Sequence, residues 1–402
     1  MRIAFITPEF VTEPSYSGGL ANYLGRVTVA LARQNHDVHV FTRAKESGQI
    51  DFQGVTVHRV VPLWDRRMVL DHIDPLVPRV LYNPYQDLKA AWCLKKRWKE
   101  VHHQKAFDLV QVANVMAVGL FFRGERGVPI VTRLSSYRPF WDRAAGIEET
   151  AGVKARWYME KLAITGCKHL YAPTHFVAEQ VEKGYGIEHV DVLETPFFSE
   201  EPTLNTDLFE QKLAGKDYVL YFGRMTQMKG VHVLAQALPK VLAQYPETIA
   251  VFIGGEGIAP DGSTMQAYVA KQLEAFQDRT LLIDSVRHDK LYPIVKGAKA
   301  VILPSLIDNL PNTCLEAMGL GKVVVATTGS CFEQLIDDSV SGILVEPNDP
   351  DALSEGILRA LQMDRFSRLA MEEKAIESIN RLRPEKAIPK LIDYYQTLAV
   401  AS

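Results

Sequence analysis

Cysteine is scarce in this chain of 402 residues: the four, Cys93, Cys167, Cys314 and Cys331, are scattered and form no C-x-x-C pair. That leaves neither a disulfide framework nor a zinc-ligand spacing, and it points to a reducing compartment. Long apolar runs are missing too, since none approaches the roughly 18 residues that a membrane-spanning helix needs. The opening MRIAFITPEF has one basic residue and an apolar run cut by Pro8 and Glu9. It reads as a first strand and is too short for a signal-peptide core. The expected localisation is cytoplasmic, with peripheral contact at the inner face of a membrane as the variant. Charge of one sign is also lacking: the net charge of −3 gives no global attraction for nucleic acid. There is no low-complexity segment and no short repeat.

What remains is an ordinary globular composition, 47% apolar and 23% charged, in a chain long enough for two domains of about 200 residues. Strand-like runs alternate with helix-like runs throughout, the pattern of parallel sheets covered by helices. One series runs through Ile3–Thr7, Val38–Thr42, Val55–Val61, Leu109–Val112, Ile130–Leu134, Leu170–Ala172 and Val192–Glu194. A second runs from Tyr218–Phe222 through Ile249–Ile253, Leu281–Ile283, Ala300–Leu303 and Val323–Ala326 to Gly342–Val345. Between them, TPFFSEEPTLNTDLFEQKLAGK has few strand signals and two prolines, and reads as a linker. The expected domains are therefore 1–195 and 217–383, with 196–216 between them and a last amphipathic helix after Pro384. Two tandem α/β domains of this kind bind ligands at the C-terminal ends of their strands, in the cleft between them.

Several loops that follow strands carry groups suited to a ligand. SGGL, Ser17–Leu20, precedes a helix and lets backbone approach an anion. It is not a G-x-G-x-x-G, and no acid closes a short second strand to hold a ribose, which disfavours a nicotinamide domain. YFGRMTQMKG, Tyr221–Gly230, places Arg224 and Lys229 in one loop, and two cations there suit a diphosphate. IGGEG, Ile253–Gly257, permits close backbone packing. DSVRH, Asp284–His288, offers main chain to a base edge, while His288 itself reads as a plain loop residue. ILPSLIDNLPNTCLEAMGLGKVVVATT, Ile302–Thr328, reads as strand, polar loop, short helix and strand, with Asp308 in the loop and Glu316 in the helix. Acids beside a helix N-terminus suit hydroxyl groups, so the implied ligand is a sugar attached to a phosphate. Alone, Thr313-x-x-Glu316 has the form of a capping box. Four such loops in one domain favour the ligand.

The series SGGL, GRMTQMKG, GGEG and PSLIDNLPNTCLEAMGLGKVVVATTGS, followed by SGILVEPND, resembles the family 4 glycosyltransferases of the GT-B fold, over essentially the whole chain. The resemblance implies two Rossmann-like parallel-sheet domains. It also implies retaining transfer of a hexose from a nucleotide diphosphate sugar, without metal or cofactor, in polysaccharide or glycoconjugate synthesis. UDP-glucose is the default donor. Carried over by position, Arg224 and Lys229 hold the diphosphate, Glu316 takes the ribose hydroxyls, Asp308 faces the sugar or reacting centre, and Gly19 brings an N–H near the phosphate or sugar. Val286 presents main chain to the base. Gly18, Gly223, Gly254, Gly255, Arg287, Asn309, Leu310, Pro311, Asn312 and Thr313 complete the expected donor site. Three departures stand out. Asp308 replaces the first glutamate of Glu-x7-Glu and is one methylene shorter. Pro311 removes an N–H where the family often has E-G-F-G. RLSSY, Arg133–Tyr137, has no histidine. The D-x-D at Asp349–Asp351 precedes a helix and reads as capping.

The N-terminal half is expected to hold the acceptor, a saccharide or lipid-linked saccharide, through Asn114, Ser135, Ser136, Tyr137, Arg138 and Trp141. Two stretches read as irregular, Trp64–Pro84 and Tyr137–Thr150, and Arg138 or Arg143 suits an anionic group there. KAAWCLKKRWKEVHHQK, Lys89–Lys105, is a basic helix with Ala91, Leu94, Trp98 and Val101 on one face. Its basic side is a solvated face or a contact for anionic lipid. An epimerase of the same fold and a non-catalytic nucleotide-sugar-binding protein stand as alternatives.

Overall fold

The computed structural model describes residues 1–14, 19–63, 77–199 and 203–400. The chain divides into two compact units, one made of Met1–Pro196 with the segment from Pro384 onward, the other of Phe197–Arg383.

The first unit is built on β1 (Arg2–Thr7), α1 (Gly19–Arg33), β2 (Asp37–Arg43), β3 (Gly48–Phe52), β4 (Val55–Val60), α2 (Tyr82–Gln104) and β5 (Leu109–Ala113). It continues with β6 (Ile130–Arg133), α3 (Arg138–Ala144), α4 (Ala151–Thr165), β7 (His169–Ala172), α5 (His175–Tyr185) and β8 (Asp191–Val192). The sheet order is β3-β4-β2-β1-β5-β6-β7-β8. Every residue of β1 after Arg2 is buried, as expected of a strand with helices on both faces. β3 is the exception to the parallel pattern. It pairs antiparallel with β4 across a turn at Gln53 and Gly54, whose φ angles of 53° and 85° match a tight two-residue hairpin. Its residues GQIDF are mostly exposed, which is why no apolar run announced them.

The second unit holds α6 (Asp207–Lys212), β9 (Tyr218–Phe222), α7 (Val231–Gln244), β10 (Ile249–Ile253), α8 (Met265–Gln272), β11 (Thr280–Ile283) and α9 (His288–Gly297). It goes on through β12 (Ala300–Leu303), α10 (Asn312–Gly319), β13 (Val324–Thr327), β14 (Ile343–Val345), α11 (Pro350–Gln362) and α12 (Arg365–Ile379). All its strand pairs are parallel, in the order β11-β10-β9-β12-β13-β14. The order in which strands are added across the sheet reverses between β9 and β12, and such a switch point opens a crevice beyond the strands' C-terminal ends. In the first sheet the equivalent point lies between β1 and β5.

Two expectations need correction. The stretch from 203 to 216 is not free linker. It carries α6, whose Leu208 and Phe209 pack on the core that includes α9, with Leu213 buried behind them. α12 was not anticipated at all, because its buried positions Met371, Ala375 and Ile379 are few and its remaining surface is polar. Asp364 caps it by accepting from the N–H groups of Phe366 and Ser367.

The last helix, α13 (Pro384–Val400), belongs to the first unit. Its Tyr395 is fully buried and meets Phe5 edge to face, with ring centroids 6.5 Å apart. The Tyr395 hydroxyl donates to Gln111 Oε1, which also accepts from Tyr171 at 2.7 Å. Beside it, the Tyr394 hydroxyl donates to Asp191 at 2.9 Å. Gln111→Leu removes the acceptor from two buried hydroxyls, and we expect it to cost about 2–4 kcal/mol in urea unfolding. A wild-type midpoint would mean that Gln111 is not the anchor of α13.

Candidate active site

Three loops of the second unit meet at the β9/β12 switch point, and glycines let them stack backbone on backbone. The Gly223 N–H donates to Ile253 O at 2.9 Å, Gly254 N–H to Ile283 O at 3.0 Å, and Met225 N–H to Gly255 O at 2.9 Å. A Cβ on Gly254 would lie 1.7 Å from Gly223 O. Gly230, at φ +64°, would place a Cβ 1.8 Å from Pro304 O. No side chain fits at either position. Leu306 N–H donates to Met228 O at 2.9 Å, which ties the loop after β12 to the loop after β9. Tyr221 hydroxyl donates to Arg224 O at 2.6 Å and fixes the turn that carries the exposed Arg224 side chain.

These ties bring Lys229 and Asp308 together, and their side chains form an ion pair. Asp308 is 7% exposed; its Oδ1 accepts from the Asn309 N–H at 3.0 Å and its Oδ2 from Ser305 Oγ at 3.4 Å. α10 begins at Asn312 with Pro311 as its N-cap, and no side chain caps it. Thr313 lies inside the helix, so Thr313-x-x-Glu316 is not a capping box. Pro311 O accepts from the Cys314 and Leu315 N–H groups. The half-buried Glu316 has His288 Nε2 3.7 Å from its Oε1, and His288 stacks on Tyr292 with centroids 5.3 Å apart. His288, set aside in the sequence as a plain loop residue, thus belongs to this site. Only the tertiary approach of α9 to α10 reveals it.

The other expected donor residues are placed as follows. Val286 and Leu310 are half-buried against the core between α9 and α10. Arg287 is exposed and pairs with Asp289 at 3.3 Å. Asn312 is exposed. Gly19 is the first residue of α1, in the first unit, and Gly18 lies outside the described residues. Asp349 is a helix cap, accepting from the N–H groups of Asp351 and Ala352. Among the described residues no group of three or more His, Cys, Asp or Glu is arranged to hold a metal.

In the first unit, Asn114 follows β5 and is buried. Its Oδ1 accepts from Ser135 N–H at 2.8 Å and its Nδ2 donates to Ser136 O at 2.9 Å. Its amide is consumed in bracing the loop after β6. The segment from Tyr137 is not irregular: Tyr137 is the N-cap of α3, and its ring lies over Gly184 and edge-on to Tyr185. Arg138 is not available to a ligand anion, because its guanidinium pairs with Asp142 at 3.0 Å and Glu160 at 3.3 Å. Arg143 pairs with Glu149 at 2.8 Å. Trp141 is half-buried on α3. Of the Trp64–Pro84 stretch, residues 64–76 lie outside the described residues, and α2 begins at Tyr82. Sequence reasoning also passed over Arg133, which is buried at the end of β6.

Two family models match the chain: "Glycosyltransferase Family 4" over residues 17–196 and "Glycosyl transferases group 1" over residues 216–363. The chain belongs to the GT-B-fold glycosyltransferase superfamily. Within it, the chain is related to family 4. It is 26% identical over 402 residues to the D-inositol 3-phosphate glycosyltransferase of Xylanimonas cellulosilytica, covering 94% of this chain and 91% of that one. The same-named protein of Corynebacterium urealyticum is 30% identical over 185 residues, 44% of this chain and 42% of that one. Among solved structures, the sucrose-phosphate synthase of Thermosynechococcus elongatus superposes with a TM-score of 0.74 at 19% identity, covering 100% of both chains. Anabaena HepE, solved in complex with UDP, superposes with 0.70 at 17% identity, covering 99% of this chain and 100% of that one. The two superpositions carry the fold alone. Movement of a sugar from a nucleotide-sugar donor is accordingly the broad activity of this chain.

Behind Arg138, the carboxyl of Glu160 is 2% exposed and accepts from the Met116 N–H at 3.0 Å. Burial outweighs the pull of Arg138 and raises its pKa from 4.5 to about 7. Between those values the unfolded chain has released this proton while the folded chain still binds it. Stability contributed at low pH is therefore lost as pH rises through the window. We expect the difference in urea-unfolding free energy between wild type and Glu160→Gln to drift against wild type from pH 4.5 to 7. A difference independent of pH would place the titration elsewhere.

Proposed function

We propose that the second unit binds a nucleoside diphosphate sugar at the β9/β12 switch point, and that the protein is a retaining hexosyltransferase working without metal. The observation that carries this reading is the Lys229–Asp308 ion pair on glycine-stacked loops there, with Glu316 on α10, the helix that follows the loop of Asp308. Lys229 and Arg224 take the diphosphate and stabilise the charge that develops on it as it leaves, assisted by the first-turn N–H groups of α10. Glu316 takes the ribose hydroxyls, with His288 steadying its carboxylate. Asp308 faces the sugar, and Val286 offers main chain to the base. UDP and a glucose-type sugar are the favoured donor, a choice in keeping with the UDP complex of Anabaena HepE.

The acceptor is a saccharide or lipid-linked saccharide held by the first unit, in polysaccharide or glycoconjugate synthesis. The protein acts in the cytoplasm, and Lys96, Lys99 and His103, exposed on α2, offer the face for any peripheral membrane contact. No helix among the described residues is long and apolar enough to cross a membrane. Lys95 is not part of that face, since it pairs with Glu125 and lies over the Trp98 ring.

Thermal shift against UDP, GDP and ADP tests the base, and slow release of free sugar from the matching nucleotide sugar tests the transferase. Interconversion of two epimers without an acceptor would select the epimerase, and binding without turnover a non-catalytic protein. Lys229→Ala should keep the wild-type circular dichroism spectrum while lowering donor turnover about 10²- to 10³-fold. Unchanged turnover would remove Lys229 from the diphosphate. Asp308→Asn should affect sugar transfer more than nucleotide affinity, and the reverse pattern would move Asp308 away from the sugar.

A further inference from the structure

Several buried charges in the first unit are matched with opposite charge. Glu13 pairs with Arg59, Asp87 with Arg156, Lys95 with Glu125, and Asp142 and Glu160 with Arg138. Arg133 breaks the pattern. It is 6% exposed, and none of the ion pairs among the described residues includes it. Its guanidinium carbon lies 3.8 Å from the centroid of the Tyr23 ring. One terminal nitrogen donates to Ser135 Oγ at 2.8 Å and the other to Thr195 Oγ1 at 3.0 Å. Its Nε is buried with no hydrogen-bond partner. An aromatic face and two neutral hydroxyls offset part of the cost of desolvating this cation, but they supply no counter-charge.

The place of Arg133 in the fold gives that deficit a direction. It ends β6 at the C-terminal edge of the first sheet, the edge where this class of sheet binds ligands. Its partners arrive from separate elements: Tyr23 from α1, Ser135 from the loop after β6 and Thr195 from the segment after β8. Ser135 and Thr195, which accept its bonds, are themselves only half-buried. Asn114 braces the Ser135 and Ser136 backbone. The arginines with more conspicuous sequence positions, Arg138 and Arg143, are already spent on carboxylates.

We propose that the acceptor carries an anionic group, the carboxylate of an acidic sugar or a phosphate monoester, and that Arg133 is its counter-ion. The guanidinium fork matches two oxygens of either group, and the Ser135 and Thr195 hydroxyls turn to donate to the same anion. This rests on the reading of the first unit as the acceptor side.

Side-chain NMR of the full chain labelled with 15N-arginine tests it. Glucose 6-phosphate, glucuronate and glucose serve as probes, each titrated with and without saturating UDP. The Arg133 Nε–H signal is assigned by its loss in Arg133→Lys, which keeps the charge if Arg133→Gln fails to fold. We expect that signal to move with glucose 6-phosphate or glucuronate and to stay in place with glucose. Arg133→Gln, followed by calorimetry, should weaken the same probe about 10- to 100-fold. Movement with the phosphate alone assigns a phosphate monoester, and movement with glucuronate alone assigns a carboxylate. If neither anion moves the signal, or if glucose moves it equally, the inference is overturned. Failure of UDP to shift Arg224 would instead strike the donor reading, and the titrations without UDP would still decide Arg133.

Discussion

Lys229 and Asp308 are 79 positions apart in the chain, and their ion pair exists only because the loops after β9 and β12 are laid against each other at one switch point. Holding a lysine and a mostly buried aspartate together normally costs more in desolvation than the pair returns, so the contact is weak evidence for stability. Its physical meaning is electrostatic. The pair holds a cation, neutralised, in a confined place where it would otherwise be costly to keep. On the proposed donor reading a diphosphate would compete for this lysine, because it carries more charge and more acceptor oxygens than one carboxylate.

The backbone makes that arrangement possible. Gly254 and Gly230 allow carbonyls of neighbouring loops to approach within distances that a side chain would block. Polar groups can therefore be packed at the end of a sheet whose interior is largely apolar, with its two faces covered by separate cores. The first sheet reaches the same end by other means. There, Asn114 uses its side-chain amide to brace one loop, and Glu160 accepts from the Met116 N–H. Met116 and Ala117 hold φ angles of 56° and 50°, a region that non-glycine residues seldom occupy. Backbone held in that region concentrates where a site demands a fixed loop, and this loop follows β5 at the first sheet's switch point.

Much of this was legible in the sequence, and the rest failed for physical reasons. Continuous apolar runs located the buried parallel strands of both sheets, because a strand covered on both faces has no polar side to dilute the signal. The solvent-facing hairpin strand β3 lacked any such run. α12 buries only three of its 15 residues, so its pattern was too sparse to read. Asp308 and Glu316 were visible as acids near a helix start. Their separation into a lysine-paired acid and a histidine-facing one depends on contacts between segments far apart in sequence. Arg138 misled for the same reason: an arginine among aromatics looks exposed and available, and nothing local shows that Asp142 and Glu160 enclose it. Arg133, at the end of a strand and followed by Leu-Ser-Ser, gave no local sign of its burial without a counter-ion.

The two departures in the loop before α10 now have a common physical account. Pro311 gives up an N–H, but as the N-cap it has φ −74°, close to the value its ring enforces, and its carbonyl serves two first-turn amides. The loop thereby exchanges one donor for a stiffer entry into the helix. Asp308, one methylene shorter than glutamate, is held by its own neighbour's N–H and by Lys229. The two changes therefore act in the same direction. Both leave a loop whose geometry is set by the chain itself, and on the proposed donor reading such a loop would bind with less ordering cost.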